Sequence, residues 1–121
     1  MNKNSKIMVA GASGLVGSAI CRELKSQGFL NLLSPSHQEL DLLDTERTEK
    51  YFKEQSPEYV FLAAAKVGGI HANNTYPVDF LEKNLKMEIN VISSCHTYKA
   101  KKLLFLGSSC IYPKLAQQPI S

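Results

Sequence analysis

The chain has 121 residues, 44% of them hydrophobic and 21% charged, with a formal net charge of +3. That is one domain's worth of sequence, able to bury roughly two-thirds of its unfolded surface, and its composition excludes intrinsic disorder. The small, dispersed positive charge excludes a nucleic-acid footprint, because the one basic cluster (Lys99, Lys101, Lys102) sits where a helix end runs into a strand and welcomes cations.

The longest uninterrupted apolar run, Val60 to Ala65, is too short to cross a bilayer, and Gly11 interrupts the apolar run Ile7 to Ala10 far short of a secretory leader. Cys21, Cys95 and Cys110 are odd in number and show no CxxC pairing, and the histidines are scattered. This pattern points to a reducing compartment and away from a disulfide scaffold or a metal site. The composition therefore predicts a cytoplasmic protein with no nucleic-acid or membrane partner.

Along the chain, strands and helices alternate. Ile7 to Ala10 reads as a buried parallel strand ending in glycine. Leu15, Val16, Ala19, Ile20 and Leu24 recur at helical spacing, with Gly28 as the stop signal. Leu30 to Leu33 reads as a second strand closed by Ser34-Pro35, and Glu39 to Leu42 as a third, very short one. No crossover helix fits between those two, so an irregular turn must join them. Asp44 caps a helix running through Gln55, with Tyr51 and Phe52 facing inward and Pro57 beyond its end. Tyr59 to Ala63 is the next strand. After a loop rich in glycine and asparagine, Pro77 opens a long helix whose expected core stripe is Leu81, Leu85, Ile89, Ile92 and Cys95. Leu103 to Leu106 is the last strand, cut by Gly107. Alternation of this kind implies crossover connections and a parallel sheet of about five strands, covering residues 1–121 as one nucleotide-binding domain.

Directly after the first strand stands Gly11-Ala12-Ser13-Gly14-Leu15-Val16-Gly17. Glycines at this spacing allow a sharp turn, close approach of the backbone to a pyrophosphate, and tight packing of the following helix on the strand. The helix N-terminus then offers free N–H groups and partial positive charge to phosphates. Strand, loop and helix occur in the order that a dinucleotide site requires. An acidic residue ending the second strand would hold the ribose 2′-hydroxyl of NAD and repel a 2′-phosphate. Here Ser34-Pro35-Ser36-His37 stands instead, with no carboxylate until Glu39, which favours NADP(H), with Ser13, Ser36 and His37 available to the phosphate. His37 reads equally well as a surface turn residue.

The GxxGxxG spacing resembles the loop of the short-chain dehydrogenase/reductase superfamily, and Gly-Ala-Ser-Gly-Leu-Val-Gly its extended branch, which modifies sugar nucleotides. Three further stretches narrow the likeness: Glu39 to Asp44, Ala63 to Pro77 with its Lys-Val-Gly-Gly-Ile and Asn-Asn-Thr-Tyr-Pro, and Leu103 to Lys114 with its Gly-Ser-Ser-Cys-Ile-Tyr-Pro. With them the chain resembles the GDP-L-fucose synthases over nearly its whole length. That resemblance implies a Rossmann-like doubly wound fold, NADP(H) as cofactor, a GDP-sugar substrate and a homodimer at full length. It implies epimerisation of two ring carbons of GDP-4-keto-6-deoxy-D-mannose followed by reduction of the ketone. By resemblance, Ser108 hydrogen-bonds the keto oxygen and Cys110 is the epimerisation acid/base. Ala63, Ala64, Ala65, Leu106, Gly107, Ser108 and Ser109 line the cofactor, and Asp41 and Leu42 contact its adenine side. Lys66, Asn73 and Asn74 border the nicotinamide and substrate. Taken singly, these serines also read as turn or cap residues, Asp41 as a cap for the next helical turn, and Cys110 as a small buried hydrophobe.

A superfamily member also needs a Tyr-x-x-x-Lys on a helix after the Ser108 loop. The only such spacing, Tyr98 to Lys102, precedes that loop and runs from a helix into a strand, so it is a decoy. The expected Tyr, Lys and His, and a substrate domain, are absent from the 121 residues, which are expected to be inactive alone. Two other readings stay open: an extended-family nucleotide-sugar epimerase or dehydratase, or a non-catalytic dinucleotide-binding module.

Overall fold

The computed structural model describes residues 1–63 and 78–105. Its elements are β1 (Lys6–Ala10), α1 (Leu15–Ser26), β2 (Asn31–Leu33), α2 (Thr45–Gln55), β3 (Tyr59–Leu62), α3 (Val78–Thr97) and β4 (Lys102–Phe105). Among the described residues the strands form one parallel sheet in the order β2-β1-β3-β4. Met8 lies opposite Leu33 on one side and Val60 on the other, and Phe61 lies opposite Leu104. The order changes direction at β1, because β2 is laid down on one side of it and β3 on the other. The fold is Rossmann-like.

Alternation along the strands makes two cores. Met8, Ala10, Val60 and Leu62 face α2 and α3 and pack with Phe52, Met87, Val91 and Cys95. Ile7 and Val9 face the other way, onto Cys21 and Leu24 of α1. Strands apolar on both faces belong to a sheet covered on both faces, which is why β1 reads as an unbroken apolar run. α1 ends at Gly28, whose φ of +90° suits glycine, with Phe29 N–H donating to the Leu24 carbonyl at 3.1 Å and Gly28 N–H to that of Lys25 at 3.0 Å. α2 is capped as expected: the Asp44 carboxylate accepts from Arg47 N–H at 3.1 Å. Among the described residues no helix is long and apolar enough to cross a membrane.

Three expectations are corrected. Glu39–Leu42 is not a strand, so the described sheet has four strands rather than five. The backbone is used locally: Glu39 N–H reaches the Ser36 hydroxyl at 3.2 Å and Leu40 N–H the Ser36 carbonyl at 2.9 Å, and just beyond the segment Leu43 N–H reaches the Asp41 carboxylate at 3.0 Å and Asp44 N–H the Asp41 carbonyl at 2.9 Å. The alternating Leu40 and Leu42 are core plugs beneath α2 and α3 instead. The second strand begins at Asn31, and Leu30 is exposed.

The third correction concerns which faces of α1 and α3 are buried. α1 buries Gly17, Cys21 and Leu24, whereas Leu15, Val16 and Ala19 are exposed. α3 buries Asn84, Met87, Glu88, Asn90, Val91, Ser94 and Cys95. Of the predicted stripe, Leu85, Ile89 and Ile92 point outward, at 44%, 58% and 43% relative exposure, whereas Cys95 is buried as expected and the Leu81 side chain lies outside the described residues. Polar anchoring turns α3 this way. Asn90 donates to the Leu42 carbonyl at 2.7 Å and accepts from the Thr45 hydroxyl at 3.1 Å, which ties α3 to α2 through a buried polar seam. Cys21 and Cys95 are free and buried, as read from their helical positions. Burial pushes the Cys95 thiol up to about 11 and raises that of Cys21 against the opposing pull of Lys25.

Also on α3, Glu88 is buried with Oε2 unpartnered among the described residues, and desolvation raises its pKa above the ordinary glutamate value. The folded state therefore holds this proton more tightly than the unfolded chain. Its contribution to stability is present below the unfolded-state value and is lost as pH rises through the folded-state one. Glu88→Gln is expected to be more stable than the parent at pH 8, with the difference shrinking as pH falls below the ordinary glutamate range. Urea unfolding at both pH values measures this, and equal stabilities at pH 8 would show that the carboxylate is not penalised.

Candidate functional site

The site sits where β1 and β3 end side by side and the sheet order reverses, the usual ligand crevice of open α/β sheets. Ala63 N–H donates to the Ala10 carbonyl at 2.8 Å, so the chain leaving β3 starts against the chain leaving β1. Gly11 turns out of β1 at φ +88°, a left-handed conformation that costs a residue with a Cβ roughly 1–2 kcal/mol. Its carbonyl accepts from Gly14 N–H at 3.1 Å, and the Gly14 carbonyl accepts from Ser18 N–H at 2.9 Å, which closes the loop onto the first turn of α1.

The last two glycines of the motif do different work. A Cβ on Gly17 would drive into the Gly11 carbonyl and crowd the Ala12 Cα at 3.0 Å, so only glycine lets α1 rest this close to the loop. A Cβ on Gly14 would meet only the Gly11 carbonyl oxygen at 3.5 Å, an ordinary contact, and Gly14 has an extended backbone (φ −77°, ψ 175°) open to any residue. The protein's own packing therefore requires Gly17 and does not require Gly14. The N-terminus of α1 is also unattended: no side chain caps it and no acidic residue stands in its first turn, whereas α2 has the Asp44 cap and Glu46 in its first turn. An anion seated on α1 would find free N–H groups, positive dipole charge and no carboxylate to repel it.

The predicted loop residues divide accordingly. Ala12 packs into the α1-side core, Ser13, Gly14, Leu15 and Val16 are exposed, and Gly17 is buried. Leu42 is buried in the α2–α3 core, and the Asp41 carboxylate accepts from Leu43 N–H in a local turn. Ser36 is partly buried and His37 exposed. Ala64, Ala65, Leu106, Gly107, Ser108, Ser109 and Cys110 lie outside the described residues, as do Lys66, Asn73 and Asn74. Tyr98 follows the end of α3 and packs against the core while Lys102 opens β4, so their spacing is fortuitous.

Sequence reasoning missed two residues beside the predicted 2′-phosphate turn. The Glu39 carboxylate folds back to accept from Ser36 N–H at 2.8 Å, while the Ser36 hydroxyl accepts from Glu39 N–H at 3.2 Å. Arg47, in the first turn of α2, donates to the Glu39 carbonyl at 3.1 Å. The available signal was the Ser-x-x-Glu spacing of a capping box. Burial and the nearby Glu39 carboxylate together raise the Tyr51 pKa.

The model of the NAD dependent epimerase/dehydratase family matches residues 7–121. The chain belongs to that family. It is 61% identical over 120 residues to a putative GDP-L-fucose synthase 2 of Arabidopsis thaliana, covering 99% of this chain and 37% of that protein. It is 50% identical over 116 residues to the GDP-L-fucose synthase of Escherichia coli K12, covering 96% of this chain and 36% of that one. This member of the family thus spans little more than a third of the relatives it matches. Among solved structures, DdhaC superposes with a TM-score of 0.85 at 55% identity, over 98% of this chain and 34% of that one. MlghC, a GDP-mannoheptose C4 reductase from Campylobacter jejuni with NADP bound, superposes with a TM-score of 0.74 at 37% identity, over 87% of this chain and 33% of that one.

The two loop glycines are expected to separate in folding. Gly17→Ala should lose roughly 1–3 kcal/mol or more, because a backbone carbonyl cannot step aside as a side chain can. Gly14→Ser should keep or slightly raise stability, since serine is a favoured cap residue in that backbone conformation. Thermal unfolding of both variants measures the contrast, and equal losses would contradict the packing described.

Proposed function

We propose that the chain is the cofactor-binding part of a cytoplasmic, NADPH-dependent epimerase/reductase that converts GDP-4-keto-6-deoxy-D-mannose to GDP-L-fucose and works as a homodimer. The observation that carries this reading is the uncapped N-terminus of α1 at the sheet's reversal point, with a glycine at position 14 that the fold's own packing does not require. A pyrophosphate suits that cradle in charge, since the helix end offers N–H donors and positive dipole charge. The GDP-L-fucose synthases among the relatives and the NADP-bound neighbour supply the sugar nucleotide and the cofactor by similarity. The free thiols Cys21 and Cys95 suit a reducing compartment.

In this reading Gly11–Gly17 seats the pyrophosphate, Ala63 to Ala65 and Leu106 to Ser109 border the rest of the cofactor, and Asp41 and Leu42 lie on its adenine side. NADPH, once bound, supplies the hydride that reduces the ketone. β4 runs parallel to β1 and β3 and so ends at the edge of the sheet that carries the glycine loop. Ser108 and Cys110 follow its last residue, Phe105, by three and five positions. Ser108 donates a hydrogen bond to the keto oxygen, which acquires negative charge as hydride arrives. Cys110 removes or returns a proton on the carbons beside the carbonyl, where the ketone acidifies C–H bonds.

The exposed stripe of α3 fits the homodimer. Leu85, Ile89 and Ile92 follow an i, i+4, i+7 spacing, the seam by which one helix packs on another. A two-fold axis beside α3 would set the stripe on its own copy, a self-complementary arrangement.

Two experiments on the full-length enzyme test these proposals. Cys110→Ala should still bind NADPH and reduce the 4-keto sugar directly, giving the unepimerised product and no deuterium uptake from heavy water. Ser108→Ala should instead slow hydride transfer by roughly 10²–10³-fold, as the loss of one oxyanion donor does. Normal deuterium exchange in Cys110→Ala would remove the thiol from the mechanism. Ile89→Glu, at an exposed position that leaves the core intact, should sediment as a monomer. A dimer of unchanged stability would place the interface elsewhere.

A further inference from the structure

At the turn after β2 stand two charged groups that the proposed chemistry does not use, Glu39 in the turn and Arg47 reaching it from α2. On the cofactor reading above, the adenosine ribose lies against this end of β2, where neighbouring charge separates a 2′-hydroxyl from a 2′-phosphate. The Glu39 carboxylate is already seated there as an anion, on Ser36 N–H at 2.8 Å. The Arg47 guanidinium donates to the carbonyl of the same residue at 3.1 Å. Among the described residues the only ion pair is Lys101–Glu58, so Arg47 holds the Glu39 backbone without cancelling its carboxylate. Ser36 N–H is the kind of donor a phosphate oxygen seeks, and it is taken.

We propose that Glu39 is a specificity-determining residue of the cofactor site: its carboxylate is a resident anion on Ser36 N–H that a 2′-phosphate must displace, with Arg47 as the cation that remains. The inference rests on the cofactor reading and adds to it. Binding of a 2′-phosphorylated cofactor exchanges one anion for another at a single backbone donor. A cofactor with a free 2′-hydroxyl leaves the carboxylate in place and finds an acceptor in it. The charge at residue 39 therefore acts on one cofactor and hardly on the other, and Arg47 acts in the opposite sense. Because Ser36 and Glu39 bond each other reciprocally, the resident anion also holds the turn in shape before a cofactor arrives.

The test measures dissociation constants for NADPH and NADH by calorimetry on the full-length enzyme. Glu39→Gln is the informative variant, because the amide oxygen still accepts from Ser36 N–H and keeps the turn while the charge is gone. NADPH affinity should rise about fivefold, the worth of one like-charge contact at close range in a water-like dielectric, with NADH affinity unchanged or lower. Arg47→Met should weaken NADPH by a similar factor and leave NADH within about twofold. An unchanged NADPH/NADH ratio in Glu39→Gln overturns the inference and leaves the cofactor reading standing. A parent enzyme that binds neither nucleotide overturns the cofactor reading, and the inference with it.

Discussion

The arrangement depends on one close approach: α1 rests on the loop leaving β1 with nothing between them but the hydrogen of Gly17. Any side chain at that position would enter the Gly11 carbonyl, and the helix would have to lift off the sheet. Because it does not, the open end of α1 points into the crevice where β1 and β3 end together. Gly11 contributes the reversal, at a φ only glycine adopts without penalty. The core beneath follows, since Cys21 and Leu24 lie one and two turns beyond Gly17 and can reach Ile7 and Val9 only while the helix stays this close.

The two helices that leave the C-terminal edge of the sheet early in the chain treat their N-termini in opposite ways. α2 satisfies its own end with the Asp44 carboxylate and carries Glu46 in its first turn. α1 has neither. A capped end has its donors occupied and its dipole compensated, so it offers little to an anion. An uncapped end gives up about 1 kcal/mol of helix stability and retains the donors for something else. Both ends are built from the same backbone, and the difference is two carboxylates, the Asp44 cap and Glu46.

Much of this was legible in the sequence because its signals are local. The strand–glycine loop–helix unit, the Asp44 cap, the Gly28 stop and the inward Phe52 each follow from neighbours within a few residues, and the structure has them where the sequence puts them. What was not legible depends on partners far along the chain. Leu40 and Leu42 alternate like a strand, but Leu40 N–H is consumed by the Ser36 carbonyl, and Asp41 draws Leu43 and Asp44 N–H into a local turn before any neighbouring strand can use them. On α3, apolar periodicity picked out Leu85, Ile89 and Ile92, yet Asn90 fixes the rotation of the helix by reaching the Leu42 carbonyl, 48 positions away. Hydrophobic pattern says that a helix has an apolar face. It does not say that this face is the one turned to the core.

The turn after β2 shows the same limit at the site itself. Read along the chain, Glu39 stands too far beyond β2 to touch a ribose there, and its absence from the strand's end argues for a phosphate. Read in three dimensions, a capping-box spacing brings the carboxylate back onto Ser36, and Arg47 arrives from the next helix to hold the loop between them. Local satisfaction and ligand binding then draw on one donor. A backbone N–H cannot serve a side chain and a phosphate fully at once, so the group that shapes the empty turn must compete with the anion that would fill it. α1 avoids that competition by leaving its end uncapped. The β2 turn does not, and on the proposal made above this difference makes residue 39, rather than the glycine loop, the place where a change of one charge would act on the choice of cofactor.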